Sequence, residues 1–311
     1  MKSRYYIIFI ISLFYAIIVG SGFYGFGNDF YIAYYKGNLS WGKWFDRMGY
    51  IVSTLYIFNI HLGVYIVSFI LALSSSNLIN NFFITKKINS HIFFVFISIV
   101  TFHTWPIIMS TSNAMKQGLC MSLIFFSLSF LISKNNKMSF IFMFLSIFFH
   151  RVGIFFLTIL ILMFLIRFLG KKIIKLEKLS YFLISLLITC IFIFYLPLVY
   201  SIEEPTRIIS GDFRIHFFII SIIFITFFTI NHHFLSNNYI LFLYIFSFVS
   251  NSLLYLELNW QYERLSMILI IPYMLSTGII FNKRSCYFIW NFLFCGLFFA
   301  TVVTGMFDSL K

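Results

Sequence analysis

Long apolar runs separated by short polar breaks fill most of the chain. A helix needs roughly 17–25 apolar residues to cross the hydrocarbon layer of a membrane, and runs near this length recur from end to end. The pattern predicts an all-α, polytopic integral membrane protein with short loops and about 11 transmembrane helices, within a range of about 10–12. The predicted helices cover residues 5–24, 61–84, 90–108, 113–133, 139–150, 152–169, 180–199, 214–231, 239–256, 265–281 and 285–304.

The apolar run over residues 139–169 is interrupted by the polar pair His150-Arg151. Because the whole run is too long for one ordinary span, we expect a helical hairpin at 139–169 with this pair at its turn. Residues 41–60 are predicted to lie along the outer surface as an amphipathic helix. No internal repeat or linker divides the chain, so we expect a single transmembrane domain over residues 1–311.

The composition excludes most other classes of protein. Hydrophobic residues make up 61% of the chain and charged residues only 10%, well below the roughly 25% of soluble domains. A soluble globular protein and a disordered chain are therefore excluded. The four cysteines lie inside apolar runs without the spacing of metal ligands, so we expect them to pack as small apolar residues. No metal site and no cofactor are predicted.

The charges divide into two populations. The net charge is +13, from 22 Lys and Arg against 9 Asp and Glu. Short cytoplasmic loops of membrane proteins are enriched in Lys and Arg, and alternate loops here hold 13 of the cations, ten of them Lys. The other face, predicted to be the outer one, holds nine cations, five of them Arg, with eight of the nine acids. This distribution points to membrane topology and not to a nucleic-acid partner.

Four of the predicted helices that run inward from the outer face have a cation at or near their start, namely Lys116, Arg151, Arg214 and Arg264. The helix dipole disfavours cations at that end, so their recurrence indicates that an anion binds at the outer face. Backbone N–H groups, the dipole and a Lys or Arg together form a phosphate site. The alternative is that these side chains extend towards lipid headgroups.

Ionisable groups flanked by apolar runs are costly in a membrane and are candidates for function. His150, Lys116 and Glu263 meet this description. The chain contains no HExxH motif, no GxSxG motif and no phosphate-binding glycine loop. A zinc centre or a serine nucleophile of the soluble type is therefore not expected.

Four short stretches carry the strongest indication of function. They are Gly27-Asn28-Asp29-Phe30-Tyr31 with Tyr34, Asn113 to Leu119, Phe148 to Gly153, and Tyr262 to Ser266. In order and spacing they resemble the G-x-D-Y/F-x-x-Y, I-R-Q-x-L-A, F-H-K/R-S and R-L-x motifs of the EpsG-like family of bacterial polysaccharide polymerases, related to the Wzy O-antigen polymerases. Lys116 stands where the family usually has Arg, which keeps the charge but loses the forked geometry.

The resemblance implies a glycosyltransferase that works at the outer face of the bacterial cytoplasmic membrane. Such a polymerase transfers a growing glycan from undecaprenyl diphosphate to a lipid-linked repeat unit, in O-antigen, capsule or exopolysaccharide synthesis. The implied partners are undecaprenyl-diphosphate-linked oligosaccharides, membrane lipid and a chain-length regulator protein. No metal is required if Lys and Arg neutralise the departing diphosphate.

This chemistry gives each candidate residue a hypothetical role. The side chains expected to bind the donor diphosphate are Lys116, Gln117, Arg151 and Arg264. Arg264 is also expected to stabilise charge on the leaving group. Either His150 or Glu263 is expected to take the proton from the acceptor hydroxyl, unless Glu263 only orients its neighbour. The side chains expected to contact the acceptor or the glycan are Asp29, Arg207 and Arg214.

Other classes of protein stay open. A transporter or flippase of lipid-linked glycans would also be polytopic and basic, but should have broken helices in paired halves. A membrane acyltransferase that modifies polysaccharide often works from the cytoplasmic side, where only one acid, Glu177, is predicted. An O-antigen ligase shares the polymerase chemistry and differs in its acceptor.

Overall fold

The structure is a computed structural model that describes residues 2–27, 30, 61–112, 114–150, 152–173, 215–255 and 259–280. Within these residues all regular secondary structure is helical, as the apolar pattern predicts. The helices are α1 (Lys2–Gly20), α2 (Leu62–Thr85), α3 (His91–Phe102), α4 (Trp105–Ser112), α5 (Met115–Ile132), α6 (Asn136–Ser146), α7 (Val152–Ile173), α8 (Ile215–Ile230), α9 (Asn238–Tyr255) and α10 (Asn259–Ile280). A 3-10 helix, His232–Ser236, precedes α9.

Three of the described helices are long and apolar enough to cross a membrane, namely Ser3–Gly20 within α1, α2 and α5. α3 and α4 provide a fourth crossing if the two form one bent span. These helices support a multi-pass membrane protein, whereas the total of about eleven crossings stays a prediction. The segments predicted at 41–60, 180–199 and 285–304 lie outside the described residues.

The break predicted within the apolar run over 139–169 is present. α6 ends at Ser146 and α7 begins at Val152, with His150 between them. Gly153 makes the turn possible, because a Cβ atom at this position would lie 2.6 Å from the carbonyl carbon of Ser146. The residue beside His150 in the predicted turn, Arg151, lies outside the described residues.

The continuous helix predicted over residues 90–108 is wrong. α3 ends at Phe102, and α4 follows at an angle of 60°. The cause is Pro106, which has no N–H for the helical hydrogen bond and whose ring clashes with the carbonyl group four residues earlier. At the break, the Thr104 hydroxyl donates to the carbonyl oxygen of Thr101 at 2.7 Å. Apolar length alone does not reveal such a break.

The start predicted for the last described helix is also wrong. α10 begins at Asn259, five residues before Arg264. The polar residues 259–264 contain neither Gly nor Pro and are compatible with a helix. The start of the apolar run therefore does not coincide with the start of the helix. Because the dipole effect fades within the first turn, the dipole argument does not apply to Arg264.

The chain forms two compact units, of which the first comprises Met1–Leu157 and Thr277–Lys311, so the boundaries fall within α7 and within α10. In the first unit, α2 packs against α1 and α5, and α6 packs against α5. The Asn81 amide on α2 donates to the Ser129 hydroxyl on α5 at 2.6 Å, a polar contact of the kind that joins helices within a membrane. Whether residues 1–311 act as one functional domain stays a prediction.

The second unit comprises Thr158–Ser276. Its buried hydroxyl groups link α9 to α10: Tyr239 donates to the carbonyl oxygen of Pro272 at 2.7 Å, and Tyr273 bonds to the hydroxyl of Ser247. Both tyrosines are almost completely buried. A buried hydroxyl group without a partner is costly, so these bonds make the packing of α9 on α10 specific.

Arg167 on α7 fixes the turn before α9 in this second unit. Its Nε donates to Oδ1 of Asn238 at 2.9 Å, and its Nη2 donates to the carbonyl oxygen of Leu235 at 2.7 Å. The charge distribution identifies Arg167 only as one of the cations that indicate a cytoplasmic loop. The structure adds a local role, which the count of cations does not reveal.

Candidate functional site

The start of α5, which carries the second motif, lies very close to the backbone of α4. A Cβ atom at Gly118 would lie 2.0 Å from the carbonyl oxygen of Ser110 and 2.9 Å from Cγ1 of Val67 on α2. Only a glycine permits this approach. It fixes the first turn of α5, where Lys116 and Gln117 lie.

Gln117 is buried in this turn and is 4% exposed. Its Nε2 group has no hydrogen-bond partner among the described residues. Almost all buried polar groups in folded proteins are paired, and an unpaired amide costs roughly 1–3 kcal/mol. A buried donor of this kind, in the turn predicted to bind diphosphate, is suited to a ligand oxygen.

The third motif meets the second one turn further along α5. Sγ of Cys120 lies 4.0 Å from the carbonyl oxygen of His150. Lys116 and Gln117 precede Cys120 by four and three residues, so all three positions share one face of the helix. The structure thus brings the predicted pair Lys116 and Gln117 to the same end of the first unit as His150.

His150 is buried, with 8% of its surface exposed, and its ring has a fixed orientation. Nδ1 accepts a hydrogen bond from the backbone N–H of Val152 at 3.2 Å, at the start of α7. A neutral ring that accepts at Nδ1 carries its proton on Nε2. This hydrogen bond ties the ring of His150 to the start of α7.

The first motif also reaches the start of α5. The backbone N–H of Gly27 donates to the carbonyl oxygen of Ser112 at 3.3 Å. Phe30 is buried, and its ring stacks on Phe26 at 4.5 Å and lies parallel to His61, with the centroids 6.3 Å apart. These contacts hold the motif against the α4–α5 junction, whereas its acidic residue, Asp29, lies outside the described residues.

Three of the four motif segments therefore meet at one end of the first unit. We call this the motif end and define it by Gly27, Phe30, Ser112, residues 114–120, 147–150, Val152 and Gly153. The described residues of the first unit contain no Asp or Glu. A negative charge at the motif end therefore does not come from the described residues of the first unit.

The remaining candidates are distributed differently. Glu263 and Arg264 lie in the first two turns of α10, in the part of this helix that belongs to the second unit. The candidates outside the described residues are Asp29, Arg151, Arg207 and Arg214. Gly118 and Gly153 belong to the motif segments but were assigned no role of their own, and Cys120 was expected only to pack as a small apolar residue. The two glycines stand beside the polar residues of their motifs, a signal that could have indicated close backbone contact.

Comparison with known proteins gives no match. No family model, no curated protein and no solved structure matches the chain.

Proposed function

We propose that the protein is a polysaccharide polymerase that transfers a glycan from undecaprenyl diphosphate to a lipid-linked repeat unit. The observation that carries this proposal is the meeting of three motif segments around a buried, unpaired amide, that of Gln117. A diphosphate oxygen accepts hydrogen bonds and carries negative charge. It therefore complements both this amide and the ammonium group of Lys116.

The reaction forms one bond and breaks one. The acceptor hydroxyl oxygen attacks C1 of the donor sugar, its proton passes to a base, and the C1–O bond to the diphosphate breaks. The electron pair of that bond remains on the diphosphate. Lys116, Gln117, Arg151 and Arg264 would stabilise this charge as it develops.

Either His150 or Glu263 is proposed as the base that takes the proton from the acceptor hydroxyl. Nδ1 of His150 accepts a hydrogen bond from the backbone N–H of Val152, which fixes the ring at the start of α7. Asp29, Arg207 and Arg214 are the proposed contacts to acceptor and glycan. We place this site at the outer face of a bacterial cytoplasmic membrane, in a single domain of about eleven spans.

A ladder assay in cells that lack their own polymerase tests the proposal. Gln117→Leu, His150→Asn, Arg151→Ala and Arg264→Ala should each shorten or abolish the glycan ladder at matched expression. Lys137→Gln is the control, because this exposed lysine lies at the start of α6, away from the motif end. Full-length ladders from all four site variants would contradict the proposed site.

One observation favours a second candidate, a flippase for lipid-linked glycans. The 60° bend between α3 and α4 is a broken helix, a feature that transporters use at their binding sites. A flippase would leave the lipid-linked repeat on the cytoplasmic side when the gene is deleted. A polymerase would leave single repeat units exposed at the outer side.

A further inference from the structure

The end of the first unit remote from the motif end contains a cavity of about 370 Å³. It lies where the start of α1, the end of α2 and the start of α3 meet. Its described lining consists of Arg4, Ile84, Lys87, Asn89 and His91. We call these five residues, together with Lys86, Ile88 and Ser90, the basic end. No acidic residue belongs to it, so its charge is uniformly positive.

Arg4 is the central residue of this cavity. It is 6% exposed, its Nη2 donates to the carbonyl oxygen of Ile88 at 2.6 Å, and its guanidinium group lies over the ring of Phe83. A guanidinium group has five N–H donors, and the hydrogen bond to Ile88 uses one of them. A buried cation needs a counter-charge, and the described residues of this unit provide no carboxylate.

The other charges point to the same kind of ligand. Lys87 is exposed at the rim with a left-handed backbone, φ 56°. His91 is the first residue of α3, and the Ser90 hydroxyl accepts a hydrogen bond from the backbone N–H of Phe93. The positive end of the helix dipole therefore also faces the basic end.

The surfaces beside the cavity are apolar and exposed. On α1, next to Arg4, Tyr5, Tyr6 and Phe9 are exposed, and on α3, next to His91, Ile92 is 86% exposed. Because α1 is long and apolar enough to cross a membrane, these side chains are positioned to contact acyl chains. A charged cavity that opens between apolar helix faces fits a lipid headgroup better than a small soluble anion.

We propose that the basic end binds the phosphate group of an anionic phospholipid. Arg4 provides the forked donors, Lys87 and His91 surround the remaining oxygens, and the acyl chains follow the exposed faces of α1 and α3. This site is separate from the proposed diphosphate site and does not depend on the polymerase reaction.

The test uses the full-length protein in detergent, with bound lipid measured by native mass spectrometry and stability by thermal unfolding. Phosphatidylglycerol should bind and raise the unfolding midpoint, whereas phosphatidylcholine and inorganic phosphate should not. Arg4→Gln should weaken phosphatidylglycerol binding at least about tenfold and Lys87→Gln about fivefold. If Arg4→Gln does not fold, Lys87→Gln decides.

Lys134→Gln is the matched control. Lys134 also follows the end of a helix, is exposed and has a left-handed backbone, φ 62°, but does not line the cavity. It should bind phosphatidylglycerol as the wild type does. The proposal is overturned if Lys87→Gln binds like the wild type, if Lys134→Gln loses as much affinity, or if inorganic phosphate alone reproduces the stabilisation.

Discussion

The motif end contacts the first part of α2, where Gly118 approaches Val67, whereas the basic end includes the last turn of this helix of 24 residues, which is about 36 Å long. At the motif end, backbone approaches backbone so closely that Gly118 and Gly153 leave no room for a Cβ atom. At the basic end, three helix ends meet around a cavity whose lining includes Arg4 and Lys87. The motif end is closed, and its tight packing holds the polar groups in fixed directions. The basic end is open, and its cavity leaves room for a ligand that the cations can bind.

The contrast also changes the interpretation of the cations. The distribution of Lys and Arg explains Arg4 and Lys87 as signals of orientation. In the structure Arg4 is buried and bonded to the backbone, so it also has a local role. At the motif end the buried polar groups include the amide of Gln117 and the imidazole of His150, which provide directed hydrogen bonds beside the charge of Lys116.

The largest expected effect is at the closed end. Gly118→Ala places a methyl group within 2.0 Å of a carbonyl oxygen, so α4 and α5 would have to separate, at a cost of about 3 kcal/mol or more. Thermal unfolding in detergent measures this cost. Ser122→Ala, which removes one bond to the carbonyl oxygen of Gly118 on the same helix, is the control and should cost about 1 kcal/mol. Equal stability of the two variants would refute the close packing.

A second prediction compares two amides of the first unit. Gln117→Leu removes an amide nitrogen that has no partner among the described residues, so the free energy of unfolding should be unchanged or rise. Asn81→Leu removes bonds to Ser129 and should lower it by about 1–3 kcal/mol. Unfolding in detergent distinguishes them. If Gln117→Leu is the more destabilised variant, its amide is paired and the ligand argument fails.

A third prediction separates the two nitrogens of His150. His150→Asn keeps an acceptor near the position of Nδ1 and removes Nε2, so stability should fall by less than about 1 kcal/mol while the glycan ladder is lost. His150→Ala removes both and should cost about 0.5–2 kcal/mol, as for the loss of a helix cap. Unfolding and the ladder assay together check this. An active His150→Asn variant would show that Nε2 is not used.

The smallest effect on glycan synthesis is expected at the open end. Ser90→Ala removes the acceptor for the backbone N–H of Phe93 at the start of α3, which should cost about 1 kcal/mol. Glycan synthesis should be unaffected, because the basic end takes no part in the proposed reaction. A loss of ladder at normal expression would mean that the two ends are coupled.

Much of the helical pattern could be predicted from the sequence, and the exceptions have physical causes. The bounds of α2 and α5 and the break at His150 follow from apolar length and one polar pair. Pro106 breaks the helix without lowering the hydrophobicity of the apolar run, so hydrophobicity alone does not predict the bend between α3 and α4. The predicted start of α10 is too late, because the first residues of this helix are polar and polar residues also form helices.

The site was predictable to a smaller extent. The position of Lys116 and Gln117 in the first turn of α5 follows from the motif, but the pairing state of the amide does not. Gly118 was predicted only as part of a motif, because close backbone approach depends on where α4 ends. The cavity beside Arg4 has no sequence signature, since it arises from the meeting of three helix ends.

The most direct test of the central claim is the analysis of lipid-linked glycans in cells from which the gene has been deleted. Mass spectrometry of the carrier lipid, combined with labelling of glycans at the outer face, gives both chain length and side. The proposed polymerase predicts single repeat units on undecaprenyl diphosphate at the outer face, with long chains restored by the wild-type gene and not by Gln117→Leu. Repeat units trapped at the cytoplasmic face, or long chains that persist on the carrier, would contradict it.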